Sequence, residues 1–120
     1  MATILAVDDS ATMRQLVNFT LSGAGYTVVE AVDGQEAVEK AAKQPFNLVI
    51  TDVNMPRMDG IALIRVLRAN PSFKYTPMLM LTTESGHSKK QEGKAAGATG
   101  WIVKPFEPQQ LLATVRRVLG

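Results

Sequence analysis

The chain has 120 residues, a length that fits one domain and leaves no room for a second. Apolar residues make up 46% of the chain, which supports a packed core and argues against disorder. Its 13 basic and 11 acidic residues give a net charge of only +2, so overall charge does not indicate nucleic acid as a partner. Cysteine is absent, which excludes disulfides and thiolate metal sites.

No apolar stretch reaches membrane-spanning length, and no charged leader with a cleavage site precedes the first strand-like residues. We therefore expect a cytoplasmic protein with no membrane partner. Two basic groups stand out, at Lys89, Lys90 and Lys94 and at Arg116-Arg117. Neither has interleaved aromatic residues or a DNA-binding motif, so we interpret both as solvated helix faces and expect no nucleic-acid partner.

Strand-like and helix-like patterns alternate along the chain, which predicts an α/β fold. The apolar run at residues 4–7 is typical of a strand buried on both faces. A helix is predicted over 12–22, ended by the glycines that follow it. A more polar strand over 26–29 and a helix over 35–43 come next. The second helix is predicted to bury four residues: Ala37, Val38, Ala41 and Ala42.

The remaining predicted elements are a strand at 48–51, a helix capped by Asp59, a strand at 78–81, a lysine-rich segment from 88 to 96, a short strand at 101–103 and a helix with Pro108 in its first turn. The first, third and fourth strands are uninterrupted apolar runs and are predicted to be central. The other two are short or mixed, which is typical of edges. Right-handed crossovers then give a doubly wound five-stranded parallel sheet in the order 2-1-3-4-5, with five helices.

Three acidic residues follow neighbouring strands of this predicted sheet. Asp8 and Asp9 follow the first strand, and Asp52 follows the third. The carboxyl ends of adjacent parallel strands line one crevice, where three carboxylates repel each other unless a cation or a proton intervenes. Hard oxygen ligands with no histidine or cysteine nearby favour Mg²⁺ over zinc. Mg²⁺ bridges carboxylates to phosphate oxygens, so the pattern indicates phosphoryl chemistry with one aspartate as the nucleophile.

Two further strand ends carry groups that suit a phosphoryl ligand. Thr82 follows the fourth strand and offers a hydroxyl, and Lys104 follows the fifth and offers a cation. Each alone is more simply interpreted as a strand-end threonine or a surface lysine, and it is their combination with the acids that is specific. Asp33-Gly34 and Asp59-Gly60 are interpreted as turns and helix caps without a catalytic role.

Four motifs lie at these strand ends: V-D-D-S at 7–10, D-V-N-M-P-R-M-D-G at 52–60, L-T-T-E at 81–84 and K-P-F at 104–106. With them the chain resembles the receiver domains of two-component response regulators over nearly its whole length. The resemblance implies a flavodoxin-like fold and a single receiver domain spanning 1–120. It also implies a protein that catalyses only its own phosphorylation and dephosphorylation.

The resemblance assigns roles to individual residues. Asp52 is expected to accept the phosphoryl group, and Thr82 and Lys104 to hold it and relay its presence. Asp8 and Asp9 form the acid pair of the metal site. The direct Mg²⁺ ligands are expected to be Asp9, Asp52 and the backbone carbonyl of Asn54.

Asn54 and Glu84 resemble the pair found in the stand-alone chemotaxis type of receiver, where these positions tune dephosphorylation. The expected partners are then a histidine kinase and a downstream target such as the flagellar motor switch, with the receiver acting as a monomer. The peptide bond between Lys104 and Pro105 is expected to be cis. The switch aromatic of this family is usually tyrosine or phenylalanine; Trp101 stands there instead, and its larger ring is expected to pack inward less completely.

Other classes fit the pattern less well. A phosphatase of the haloacid dehalogenase type also uses an aspartate after a strand, but it needs Asp-x-Asp, and Asp8-Asp9 lacks the spacer. In a flavodoxin-like flavin carrier, the same acid pair would repel the flavin phosphate. A receiver that binds partners without being phosphorylated stays open as an alternative.

Overall fold

The computed structural model describes residues 2–83 and 87–119. Its strands are Thr3–Val7 (β1), Thr27–Ala31 (β2), Leu48–Asp52 (β3), Met78–Thr82 (β4) and Gly100–Val103 (β5). Its helices are Ala11–Gly23 (α1), Gly34–Lys43 (α2), Gly60–Arg68 (α3), His87–Ala96 (α4) and Pro108–Leu119 (α5), with a 3-10 turn at Pro71–Phe73. None of the helices in these ranges is both long and apolar enough to cross a membrane.

All neighbouring strands are parallel, and the sheet has the order β2-β1-β3-β4-β5. The predicted topology is therefore confirmed, including its central and edge strands. β1, β3 and β4 are buried almost throughout, because helices cover both faces of the sheet. This order puts the carboxyl ends of β1 and β3 side by side at the switch point of the sheet.

Two apolar cores lie on opposite faces of the sheet. One face packs against α2, α3 and α4, with Ala37, Leu63 and Ala96 among its buried residues. The other packs against α1 and α5, through residues such as Val17 and Leu111. Alternate strand residues enter alternate cores, since successive side chains of a strand point to opposite faces.

β2 runs two residues further than predicted, to Ala31, which is fully buried and pairs with Val7. The polar side chain of Glu30 hid this continuation in the sequence. In the structure that carboxylate receives hydrogen bonds from Arg14 and Asn18 of α1, so an edge strand carries it without loss of pairing. A polar strand residue at a sheet edge is thus no signal that the strand has ended.

Three helices begin at polar caps that point toward the carboxyl edge of the sheet. Ser10 accepts from the backbone N–H of Met13 at 3.2 Å, and Asp59 from that of Ala62 at 2.8 Å. Asp33 caps α2 in the same way. The interpretation of the two Asp-Gly pairs as caps is confirmed. The prediction that Ala42 is buried is wrong: it is exposed on the outer face of α2.

Gly93 lies in the middle of α4, where glycine costs a helix roughly 1 kcal/mol relative to alanine. The structure supplies the reason for it: the residue is buried, and a Cβ there would lie 2.2 Å from the terminal methyl of Met80 in β4. Glycine thus allows α4 to approach the sheet closely. The basic residues of α4 and α5 lie at exposed or half-exposed positions, as interpreted from the sequence.

Candidate functional site

The three aspartates meet at the carboxyl edge of the sheet. One carboxylate oxygen from each of Asp8, Asp9 and Asp52 lies within 4.8 Å of the other two. Asp8 and Asp52 are buried, whereas Asp9 is exposed and faces solvent from the loop that follows β1. The cluster is therefore open on one side, as a site that receives a small ligand requires.

Lys104 joins this cluster from the end of β5. Its ammonium nitrogen Nζ lies 2.9 Å from Oδ1 of Asp52 and 3.3 Å from Oδ2 of Asp8. Its backbone N–H donates to the carbonyl of Thr82 at 2.7 Å, which fixes the start of the loop. The peptide bond to Pro105 is cis, as expected. Three strand ends, those of β1, β3 and β5, thus bring charged side chains into one cluster.

The charges of the site are coupled. Burial raises the pKa of Asp52, and the nearby negative charge of Asp8 adds to that rise; Lys104 offsets it only in part. Burial alone would lower the pKa of Lys104, but the hydrogen bond and charge of Asp52 and the charge of Asp8 outweigh burial and raise it. The lysine therefore stays protonated, and the Asp52 carboxylate is energetically costly when no further cation is present.

Short contacts hold the two buried aspartates in place. The N–H of Val53 donates to Oδ1 of Asp52 at 3.0 Å. The guanidinium of Arg14 donates to the backbone carbonyl of Asp8 at 2.7 Å, and the N–H of Ser10 donates to its carboxylate at 2.9 Å. Nothing in the sequence pattern singled out Arg14, because an arginine on an amphipathic helix is usually a solvated residue.

Two other residues with expected roles lie at or just after the carboxyl ends of β4 and β3. Thr82 is the last residue of β4 and is almost fully buried, and Asn54 is exposed in the loop between β3 and α3. Glu84 lies outside the described residues. Their expected roles in holding the phosphoryl group and tuning its loss stay predictions.

Trp101 lies on β5 opposite Met80, with 41% of its surface exposed. Strand alternation puts it on the same sheet face as Thr82 of the neighbouring strand, which pairs with Val103. The ammonium nitrogen of Lys90 in α4 lies 4.9 Å from the centre of the indole ring, a favourable cation–π distance. The ring is thus held on the surface between α4 and β5, on the face that Thr82 shares.

Gly60, the first residue of α3, lies directly against the backbone of Asp52. A Cβ at this position would lie 2.1 Å from the Asp52 carbonyl oxygen, a contact that neither backbone can relieve without moving. We expect Gly60→Ala to lower the free energy of unfolding by about 1–3 kcal/mol, as overpacking does, and to displace the Asp52 carboxylate. Denaturant unfolding curves measure the loss.

Gly23 provides the matched control. A Cβ there meets nothing within 4 Å, so Gly23→Ala is expected to keep or raise stability by up to about 1 kcal/mol. If both alanine variants unfold at the same denaturant concentration as the parent, the close approach between α3 and Asp52 is not a constraint on the fold.

The donor set of the cluster suits Mg²⁺. It consists of carboxylate oxygens with an open side for water or phosphate oxygens, and neither histidine nor cysteine lies within it. The buried carboxylates also carry a charge that Lys104 alone does not balance. The residues present therefore fit the cation that the sequence predicts.

Comparison with known proteins identifies the class. The model of the response regulator receiver domain matches residues 4–116. The chain is 45% identical over 119 residues to the chemotaxis protein CheY1 of Helicobacter pylori, covering 98% of this chain and 96% of that protein. It is similar to the solved structure of the chemotaxis response regulator CheY4 of Vibrio cholerae, with 56% identity, a TM-score of 0.95 and 98% of each chain covered.

The chain belongs to the receiver domains of response regulators, and within them it is similar to chemotaxis regulators of the CheY type. Receiver domains also occur in longer proteins. A probable transcriptional regulator of Porphyridium aerugineum is 40% identical over 116 residues, and the match covers 97% of this chain but 47% of that protein. Members of this family bind Mg²⁺ at an acidic cluster, and in this chain that cluster consists of Asp8, Asp9 and Asp52.

Proposed function

We propose that this receiver accepts a phosphoryl group on Asp52 from the phosphohistidine of a histidine kinase, and that phosphorylation alters its α4–β5–α5 surface for a partner. The observation that carries the proposal is the position of the Asp52 carboxylate. It lies 2.9 Å from the Lys104 ammonium and within 4.8 Å of two further carboxylates. Asp8 has both kinds of neighbour as well, but its side chain is 3% exposed against 11% for that of Asp52, so Asp52 is the more accessible nucleophile of the two.

The transfer is a displacement at phosphorus. An oxygen of Asp52 forms the new P–O bond while the P–N bond to the donor imidazole breaks, and that bonding pair stays on the imidazole nitrogen. The product is an acyl phosphate on Asp52. Asp9, Asp52 and the backbone carbonyl of Asn54 would hold Mg²⁺, which would supply positive charge against the carboxylates and the phosphoryl oxygens.

The residues of the chain have separate tasks in this step. Lys104 already contacts the nucleophile and is protonated, so it can pair with a phosphoryl oxygen once the new bond forms. The Thr82 hydroxyl can donate to a second oxygen. Asn54 and Glu84 would set how quickly water removes the group. The chain turns over no substrate other than its own acyl phosphate.

Intact-mass measurement tests the proposal. The parent protein is incubated with a small phosphodonor such as acetyl phosphate, with Mg²⁺ or with a chelator. We expect one phosphoryl group per chain with Mg²⁺ and almost none without it. If no phosphoryl mass is gained under any condition, the protein acts as a non-phosphorylated interaction module.

Phosphorylation is expected to move Trp101. A phosphoryl group that draws the Thr82 hydroxyl toward it vacates space on the sheet face that the two residues share. The ring then buries apolar area, worth about 25 cal/mol per Å². Opposing costs are the lost cation–π contact with Lys90, about 0.5–1 kcal/mol at an exposed site, and the fit of an indole in the space of a smaller ring, about 1–3 kcal/mol.

Iodide quenching of Trp101 emission measures the outcome. We expect lower quenching in the protein treated with beryllofluoride, a mimic of the phosphoryl group, than in the untreated protein. Thr82→Ala should abolish this difference and leave Mg²⁺ binding intact. Equal quenching before and after complete modification of the parent would mean that Trp101 does not take part in the switch.

The CheY-type relatives suggest the partners. We propose a chemotaxis histidine kinase as the donor and a protein of the flagellar motor switch as the target, with the receiver acting as a monomer in the cytoplasm. The surface offered to the target includes the indole of Trp101 and the lysines of α4.

A further inference from the structure

Arg57, which follows the proposed phosphoacceptor Asp52 in the loop between β3 and α3, has an unusual backbone conformation. Its φ is 68°, in the left-handed region, and it is the single residue other than glycine with a positive φ within 2–83 and 87–119. Side chains other than glycine, asparagine and aspartate rarely adopt this conformation. Residues in such conformations persist when their surroundings hold them there.

The side chain of Arg57 contacts a buried carboxylate, that of Asp33 at the start of α2. Its Nε donates to Oδ2 of Asp33 at 2.8 Å, and its Nη2 contacts the same oxygen. Asp33 is 2% exposed and precedes α2, whose N-terminus it caps through the N–H of Glu36 at 2.9 Å. The hydrogen bond from the backbone N–H of Glu36, together with the Arg57 guanidinium, holds the pKa of Asp33 below its usual value.

The contact between Arg57 and Asp33, here called the clasp, joins α2 to the loop between β3 and α3. In the described ranges, the hydrogen bonds that tie residues 54–57 to another element are those of the Arg57 guanidinium. Packing supports the same junction, since a Cβ on Gly34 would lie 2.7 Å from the carbonyl oxygen of Met58. Met55 and Met58 also pack against the core on this face, so the clasp is the hydrogen-bonded part of the attachment of this loop, and it lies near the end of the loop.

This loop carries Asn54, whose backbone carbonyl is the one proposed Mg²⁺ ligand that does not come from a carboxylate. A backbone ligand has no side-chain torsions of its own, so its position depends on the order of the loop. We propose that Arg57 is a positioning residue: by holding Asp33 it orders residues 53–59 and places the Asn54 carbonyl for Mg²⁺. The inference rests on the proposed function, because it takes the metal ligands from it.

For the replacement of Arg57, simple electrostatics and the clasp predict opposite changes in Mg²⁺ affinity. Arg57 is a cation on the loop that carries a proposed metal ligand, so its removal should strengthen Mg²⁺ binding if charge alone mattered. The clasp predicts weaker binding, since a disordered ligand must be ordered when the metal binds. Asparagine suits position 57 as a replacement, because it tolerates positive φ without the added freedom of glycine.

The experiment compares Arg57→Asn, Asp33→Asn and the double variant with the parent by titration calorimetry with Mg²⁺. Asparagine caps helices about as well as aspartate, so Asp33→Asn removes the clasp and keeps the α2 cap. We expect each single variant to bind Mg²⁺ about tenfold more weakly, the lower end of the loss seen when partners of metal ligands are removed. The double variant should be no weaker than the singles, because the same contact is lost.

Two controls separate the clasp from other effects. Arg65→Ala removes the same charge from an exposed position of α3 and should leave Mg²⁺ affinity unchanged. Amide hydrogen exchange of the metal-free proteins should rise at residues 53–59 in the clasp variants, with the slowest-exchanging core amides changed much less.

Unchanged or tighter Mg²⁺ binding by Arg57→Asn would overturn the inference, and so would unchanged exchange at 53–59. If the parent itself binds no Mg²⁺, the proposed metal site fails instead. The exchange comparison in metal-free protein then still decides whether the clasp orders the loop.

Discussion

Asp52→Asn protein is expected to gain no phosphoryl mass under conditions that label the parent fully. The substitution keeps the shape of the side chain and removes the nucleophilic oxygen, so the loss is chemical rather than structural. Intact-mass spectra of the two proteins after the same exposure to phosphodonor and Mg²⁺ measure it. Equal labelling of both proteins would show that another residue accepts the group.

A second expected result for Asp52→Asn concerns its stability, and this measurement also shows whether the variant is folded. The raised pKa of Asp52 means that the folded state holds its proton more tightly than the unfolded state does. The carboxyl thus contributes stability below its unfolded pKa, about 3.9, and that contribution is lost as pH rises through the folded pKa. Asparagine carries no such titration, so metal-free Asp52→Asn should be more stable than the parent at pH 7 and lose that advantage at acid pH.

Denaturant unfolding in the presence of a chelator, repeated from acid to neutral pH, measures this difference. An advantage of Asp52→Asn that is constant with pH would mean that burial and the Asp8 charge do not raise the pKa of this carboxyl. A variant that is less stable at every pH would mean that Asp52 is needed for the fold. Its failure to be phosphorylated could then not be attributed to loss of the nucleophile.

Asp9→Ala is expected to remove most of the stabilisation that Mg²⁺ gives the parent. At a concentration of about 100 times Kd, a ligand stabilises the folded state by about 2.7 kcal/mol, and a hundredfold weaker site leaves only about 0.4 kcal/mol. Removal of one of three clustered carboxylates also relieves repulsion, so the metal-free variant should be at least as stable as the parent. Melting curves with and without Mg²⁺ measure both effects.

Glu39→Ala serves as the control, because it removes one negative charge from an exposed position of α2, away from the cluster. It should keep the Mg²⁺-induced shift of the parent. If Asp9→Ala keeps the full shift as well, Asp9 is not a ligand, and the cation site, if there is one, lies elsewhere.

Much of the fold could be predicted because its strands have simple signatures. The apolar runs ending at Val7, Thr51 and Leu81 identified the buried strands, and their order followed from burial and crossover handedness. Asp8 and Asp52 follow such strands directly, so the position of each strand end fixed the position of its carboxylate. The convergence of the cluster was predictable for that reason.

The residues that support the site were not predictable in the same way. Arg14 contacts the Asp8 carbonyl, and Arg57 contacts Asp33 across a separation of 24 residues. Such contacts depend on loop conformation and on the side-chain torsions of long residues, which hydrophobic periodicity does not encode. Gly60 was interpreted only as part of a turn, whereas the structure shows that the Asp52 backbone leaves no space for a Cβ.

The measurement that tests the central claim most directly is the location of the phosphoryl group. Borohydride reduces an acyl phosphate to an alcohol, so a phosphorylated aspartate becomes homoserine and can be identified by peptide sequencing in the mass spectrometer. We expect homoserine at position 52 in the parent treated with phosphodonor and Mg²⁺, and none in the parent treated without donor. Homoserine at position 8 or 9, or a labelled protein with aspartate intact at 52, would contradict the assignment of Asp52 as the phosphoacceptor.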